Sequence, residues 1–205
     1  MPSIYGLKTK FQGFLRPVSN GLARAGLTAN QVTVSAMLLS FATSFAILHF
    51  RSMHVLLLLP AVLFLRMALN AIDGMLAREH NQKSALGAIL NELGDVFSDA
   101  ALYLPLATFP PFDPVVTVLI VLLAVVSELT GVVAVQIGAS RRYDGPMGKS
   151  DRAVVFGVLG LLLGLQLPIF RVVIPVQWIV LALLLVTIAN RARGALREIR
   201  GRTSR

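Results

Sequence analysis

Six apolar runs, each near the length that crosses a bilayer as a helix, constrain this chain more than any other feature. They fall near residues 31–50, 54–78, 84–107, 114–139, 152–167 and 172–192. A helix of about 20 apolar residues spans the hydrocarbon core with every backbone group bonded internally. Of the 205 residues, 56 % are hydrophobic and 14 % charged, so a water-soluble fold would expose too much apolar surface. The expected fold is an all-α integral membrane protein: six transmembrane helices preceded by an N-terminal amphipathic interfacial helix.

Ahead of the first run, Tyr5, Leu7, Phe11, Phe14 and Leu15 alternate with Lys8, Lys10 and Arg16. That pattern predicts an interfacial helix over residues 3–24, with a disordered basic tail as the alternative. The stretch MPSIYGLKTKFQGFLRPVSN has no apolar signal core, so no cleaved secretion signal is expected. Cysteine is absent, which removes disulfides and thiolate metal sites. The formal charge of +9 would suit nucleic acid or anionic lipid; beside six apolar runs, membrane lipids are the expected partner and nucleic acid is not.

Lys and Arg then orient the runs. Lys8, Lys10, Arg16 and Arg24 precede them; Arg78 and Lys83 follow the second; Arg141, Arg142, Lys149 and Arg152 follow the fourth. Arg191, Arg193, Arg197, Arg200, Arg202 and Arg205 close the chain. All sixteen fall on one side of a six-span arrangement, against Arg51 and Arg171 on the other. The positive-inside rule therefore predicts cytoplasmic termini. One domain is expected over 1–205, made of the interfacial helix (3–24), a six-helix bundle (31–192) and a basic cytoplasmic tail (193–205).

The polar residues within the runs are spaced for a purpose. Arg66, Asn70, Asp73 and Ala77 share one face of the second run; Gly87, Asn91, Asp95 and Asp99 form a slowly drifting row on the third. The two runs are antiparallel across a short polar loop, so the rows can face each other, with Asn70, Asp73, Asn91 and Asp95 in the cytoplasmic half. Helix packing alone would use such polar residues as glue, with Gly74, Ala77, Gly87 and Gly94 allowing close approach. Two carboxylates at matching depth without equal cations are better balanced by a divalent ion with oxygen ligands. Deeper, Arg66, Asp99 and Glu128 lie at similar depth, and the favoured reading is structural: Arg66 neutralises one or both acids. A proton relay through Asp99 and Glu128 is the alternative.

These residues resemble a known family, the CDP-alcohol phosphotransferases of phospholipid synthesis. The family motif reads D-x2-D-G-x2-A-R-x8-G-x3-D-x3-D. Asp73, Gly74, Ala77, Arg78, Gly87 and Asp95 stand at its positions, six of eight in register over 26 residues. LTANQVTVS, from Leu27 to Ser35, resembles the family's P-N-x-x-T segment, with Asn30 and Thr33 in place and Ala29 instead of proline. GPMGKSDRA, from Gly145 to Ala153, resembles the segment of members that use phosphorylated acceptors.

The resemblance implies transfer of a phosphatidyl group from a CDP-linked lipid such as CDP-diacylglycerol to an alcohol, with release of CMP. It implies Mg²⁺ or Mn²⁺ held by Asp73, Asp95, Asn70 and Asn91, with Asp95 as base, at a site facing the cytoplasm of a bacterial inner membrane. Donor contacts would come from Gly74, Ala77, Arg78, Gly87, Asn30 and Thr33, and the protein would be a homodimer. The departures are Asn70 and Asn91, which stand where the motif has Asp; the pattern is similar to that of a bacterial inner-membrane subgroup. Two amides leave the set at a charge of −2 rather than −4, with Glu92 as a possible substitute ligand.

Lys149, Arg152 and Arg191 are candidates to bind the phosphate of an acceptor such as glycerol 3-phosphate, against a plainer role in orientation. Two other functions compete: a catalytically silent relative that binds a CDP-lipid or a partner subunit, favoured by the two Asn, and an ion or proton transporter. No paired interrupted helices or internal repeat support transport.

Overall fold

Three of the apolar runs open on a side chain that accepts from a free amide at a helix start. Thr28 Oγ1 accepts from Gln31 N at 3.2 Å while Gln31 Oε1 accepts from Thr28 N at 2.8 Å, a reciprocal cap. Ser84 Oγ accepts from Gly87 N at 2.9 Å, and Asp113 Oδ1 from Val116 N at 2.9 Å, with Pro114 as the first helical residue. The computed structural model describes the backbone of residues 4–203 and the side chains of residues 11–202. Residue 3 of the expected interfacial helix, the side chains of Tyr5, Leu7, Lys8 and Lys10, and Arg205 of the tail lie outside the described residues.

Among the described residues the elements are α1 (Ile4–Arg24), α2 (Ala29–Phe50), α3 (Leu58–Glu79), α4 (Ala85–Tyr103), α5 (Pro114–Gln136), α6 (Lys149–Gly164) and α7 (Phe170–Thr203), with 3-10 turns at Met53–Leu57 and Leu104–Thr108. The chain is all-α, and each expected run has its helix. Four helical segments are long and apolar enough to cross a membrane: Ala29–Phe50, Met53–Glu79, Pro114–Gln136 and Phe170–Arg202. The other two differ for visible reasons. α4 carries Glu92, Asp95 and Asp99, and the 16 residues of α6 include Lys149, Asp151 and Arg152. At 1.5 Å per residue α6 is about 24 Å long, short of a hydrocarbon core of about 30 Å.

Boundaries shift in one notable place. The run expected to end at 192, with a basic tail after it, continues as helix to Thr203. Packing explains this: Ala195 is buried with Ala134 and Ala139, and Glu198 accepts from Ser140 N at 3.1 Å and Ser140 Oγ at 2.7 Å.

The main core joins α2, α3, α5, α6 and α7 through Ile47, Leu59, Ile120, Phe156 and Leu184, with Tyr103 stacked on Phe156 at 4.5 Å between ring centres. A smaller cluster of Leu15, Val32, Ile72, Met75 and Leu76 fastens α1 and α2 to the last turns of α3. α2 packs on both α3 and α4. The two acid-bearing helices reach each other through side chains, at Asn70 with Asp95 and Arg66 with Asp99. Two polar contacts thus lie between them, which is what positions the site.

Candidate active site

The last turns of α3 and the first turns of α4 are joined by a five-residue turn, so their polar faces open on the same space. A cavity of about 630 Å³ lies there, lined by Asn30 and Thr33 of α2, Asp73, Gly74, Ala77 and Arg78 of α3, and Gly87 and Asn91 of α4. Asp73 is 5 % exposed, and Thr33 Oγ1 donates to its Oδ2 at 2.8 Å. A Cβ on Gly87 would stand 2.8 Å from Asn30 Oδ1 and 3.0 Å from Ser84 Oγ, so a larger residue here would push those two side chains from their places on the cavity wall. A Cβ on Gly74 would meet the Arg78 guanidinium at 3.0 Å, since that side chain folds back over the glycine along the cavity wall. Gln82, which the sequence did not single out, also lines the cavity and accepts from Ala29 N at 2.7 Å. No period or motif marks it; only the turn brings it there.

Asp95 faces a second cavity of about 320 Å³, lined also by Asn91, Glu92, Glu128, Arg141, Tyr143, Lys149, Asp151 and Arg191. Asn91 lines both cavities. Lys149 Nζ donates to Asp95 Oδ1, Asn70 Nδ2 donates to the same oxygen at 3.2 Å, and an Arg66 nitrogen stands 3.9 Å away. Asp73 differs: among the described residues no cation lies within ion-pair distance of it. A third space, a groove of about 430 Å³ between α3 and α6, is apolar along Leu63, Phe64, Met67, Val154 and Val158. It ends in Arg66, Asn70, Asp99 and Lys149.

Beneath Asp95 the deep charges form one network. Arg66 pairs with Asp99 at 3.0 Å and does not reach Glu128. Arg152 bridges the two acids, at 2.9 Å to Asp99 and 3.3 Å to Glu128. Arg191 and Arg141 complete the shell of Glu128 at 3.1 and 3.2 Å. Lys149, Arg152 and Arg191, the expected acceptor-phosphate residues, are each paired with an acid, Arg152 and Arg191 being 1 % and 2 % exposed. Charges this deep must pair, because an isolated ion in a low-dielectric interior costs several kcal/mol. Glu92 is likewise engaged, bound by Arg141 at 2.9 and 2.7 Å. In the loop outside the helices, the Arg142 guanidinium hydrogen-bonds Asp144 and holds its carboxyl below the usual range.

Asp73, Asp95, Asn70 and Asn91 are the oxygen donors that α3 and α4 could offer a divalent cation. Two carboxylates and two amides are hard oxygen donors, suited to Mg²⁺ or Mn²⁺. Among the described residues no group of three His, Cys, Asp or Glu side chains is placed to hold an ion by itself. By donor chemistry these four residues suit such an ion, and here Asp95 Oδ1 accepts from Lys149 and Asn70.

Residues 26–189 match the family model described as CDP-alcohol phosphatidyltransferase. The chain belongs to this family. It is 43 % identical over 195 residues to the inner membrane protein YnbA of Escherichia coli (strain K12), covering 95 % of this chain and 96 % of that protein. Its fold is similar to that of phosphatidylinositol phosphate synthase (PgsA1) of Mycobacterium tuberculosis with CDP-DAG bound. There the TM-score is 0.73 at 22 % identity, over 87 % of this chain and 92 % of that one. The same enzyme in complex with manganese and citrate gives a TM-score of 0.73 at 22 % identity, over 88 % of each chain.

Proposed function

We propose that this member of the CDP-alcohol phosphatidyltransferase family transfers a phosphatidyl group from a CDP-linked lipid to an alcohol and releases CMP. The observation that carries the reading is convergence: Asn30, Thr33, Asp73, Gly74, Ala77, Arg78 and Gly87, distant in sequence, line one cavity, and Asn91 joins it to the cavity of Asp95. The identity to an inner membrane protein supports a bacterial inner-membrane location. We read α2 to α7 as crossing, the short α6 included, α1 as interfacial, the termini and both cavities as cytoplasmic, residues 1–205 as one domain, and the protein as a homodimer.

In this reading the diphosphate of the donor lies by Asp73 and Asn91, with Arg78 on a phosphate and the small Gly74 and Ala77 leaving room for the nucleotide. The groove between α3 and α6 suits an acyl chain of the donor. Asp73, Asp95, Asn70 and Asn91 would hold Mg²⁺ or Mn²⁺, which supplies positive charge for the diphosphate when bound. Asp95 accepts the proton of the acceptor hydroxyl. The hydroxyl oxygen forms the new bond to the lipid-bearing phosphorus, the bond from that phosphorus to the CMP oxygen breaks, and CMP leaves with the electron pair. Lys149 and Asn70 hold Asp95 in place before the acceptor arrives.

A second reading, donor binding without turnover, is favoured by one observation: Asp95 already accepts from both Lys149 and Asn70. One experiment separates the two. Purified protein is given CDP-diacylglycerol, Mg²⁺ or Mn²⁺ and a panel of alcohols, and CMP is measured. Turnover predicts acceptor-dependent CMP that disappears with EDTA and falls by at least about a hundredfold in Asp95→Ala, the usual scale for loss of a general base. No CMP with any acceptor, while donor or CMP still binds, would leave the silent reading standing.

A further inference from the structure

The cavity around Asp95 brings together four carboxylates, Glu92, Asp95, Glu128 and Asp151, and three cations, Arg141, Lys149 and Arg191. Each of those cations is ion-paired, while the buried Nε of Arg191 has no hydrogen-bond partner. Arg141 makes a two-pronged contact with Glu92 at 2.9 and 2.7 Å and reaches Glu128 at 3.2 Å. Arg191 pairs with Glu128 at 3.1 Å, and Lys149 rests on Asp95. From below, Arg152 grips Glu128 at 3.3 Å and Asp99 at 2.9 Å, so Glu128 cannot swing away without abandoning a second buried guanidinium.

We infer that the alcohol entering this cavity carries no phosphate or other fixed negative charge, and that Glu92 and Glu128 impose this by occupying the guanidinium groups of Arg141 and Arg191. The inference rests on the transferase reading above and narrows its acceptor. A phosphomonoester brings close to two negative charges and needs unengaged donors. To offer it Arg141 and Arg191, the protein would have to strip Glu92 and Glu128 of their partners. Glu128, whose side chain is 13 % exposed, would then be a dehydrated charge with less compensation than it has now. Turning Lys149 away from Asp95 frees one cation at most, and four carboxylates remain around the incoming anion. A neutral or amine-bearing alcohol meets none of these costs, because its hydroxyls donate to the carboxylate oxygens already lining the walls.

The test reads the charge preference with and without turnover. Without donor, purified protein is titrated with inorganic phosphate and with a polyol monophosphate, and heat of binding and Tm are followed. In parallel, CMP release is compared for a polyol and its monophosphate. Wild-type protein is expected to show no saturable binding of either phosphate probe, and to release CMP at least about tenfold faster with the unphosphorylated alcohol. Glu92→Gln, at a half-exposed position where folding is least at risk, releases Arg141 from Glu92 and leaves it only its contact with Glu128, and is expected to bring saturable phosphate binding into the measurable range. Saturable phosphate binding by the wild type that Arg191→Gln abolishes, or faster turnover of the monophosphate, would overturn the inference. Absence of CMP with both acceptors would instead sink the transferase reading, while the titration still decides the charge preference.

Discussion

Asn70 shows how one atom changes the chemistry of a residue position. Where the family motif has an acid, its amide nitrogen donates to Asp95 at 3.2 Å. The contact stabilises the site without a metal, whereas a carboxylate there would face Asp95 across the same gap and call for a cation. Asn70→Asp with Asn91→Asp is therefore expected to bind Mn²⁺ about tenfold or more tightly than wild type, and to melt at a lower temperature when metal is stripped. Manganese titration by electron paramagnetic resonance, with melting curves in EDTA, reads both effects. Unchanged Mn²⁺ affinity would mean that the motif geometry no longer serves a metal.

Helix ends, at the scale of elements, matter as much as helix middles. α7 leaves the apolar run at about Asn190 and continues to Thr203 because the loop before α6 is tied to it. Glu198 is the tie: it accepts from Ser140 at 3.1 and 2.7 Å and from Arg142 at 3.1 Å. The same loop carries Arg141 and leads into Lys149, so its position sets two walls of the Asp95 cavity. Glu198→Ala is expected to raise amide hydrogen exchange by about tenfold over residues 138–144 and 193–203, with the rest of α7 unchanged. Equal protection in both proteins would show that the remaining contacts, Ala195 and the Arg202 bond to Gly138 O among them, suffice to hold the extension.

For the whole molecule, the deep network of Arg66, Asp99, Arg152, Glu128 and Arg191 joins α3, α4, α5, α6 and α7 at one level. A membrane interior gives little hydrophobic driving force between helices, so polar contacts and close packing carry the association. Gly160 and Gly164 add the packing, their faces lying against Leu59 and Leu57. Arg152→Met leaves Asp99 and Glu128 each short of a partner and is expected to cost about 3–5 kcal/mol, a marked fall in Tm in detergent. An unchanged Tm would mean that Arg66, Arg141 and Arg191 compensate the two acids by themselves.

Much was legible from residues alone. Apolar length predicted a helix for each run, and three- and four-residue spacing put Asn70, Asp73, Asn91 and Asp95 on facing sides of α3 and α4, because helical periodicity is a local property. Motif spacing likewise brought Asp73, Gly74, Ala77, Arg78 and Gly87 to one cavity. Pairing was not legible. Nothing in the order of residues says that Glu128 belongs to Arg152 and Arg191 rather than Arg66, that Arg141 would be taken by Glu92, or that the basic tail would stay helical. Those outcomes depend on which charges share a low-dielectric space and so must neutralise one another. Sequence determined the helices and which of their faces are polar; only the tertiary structure decided which charges meet, and with that which cations remain for a substrate.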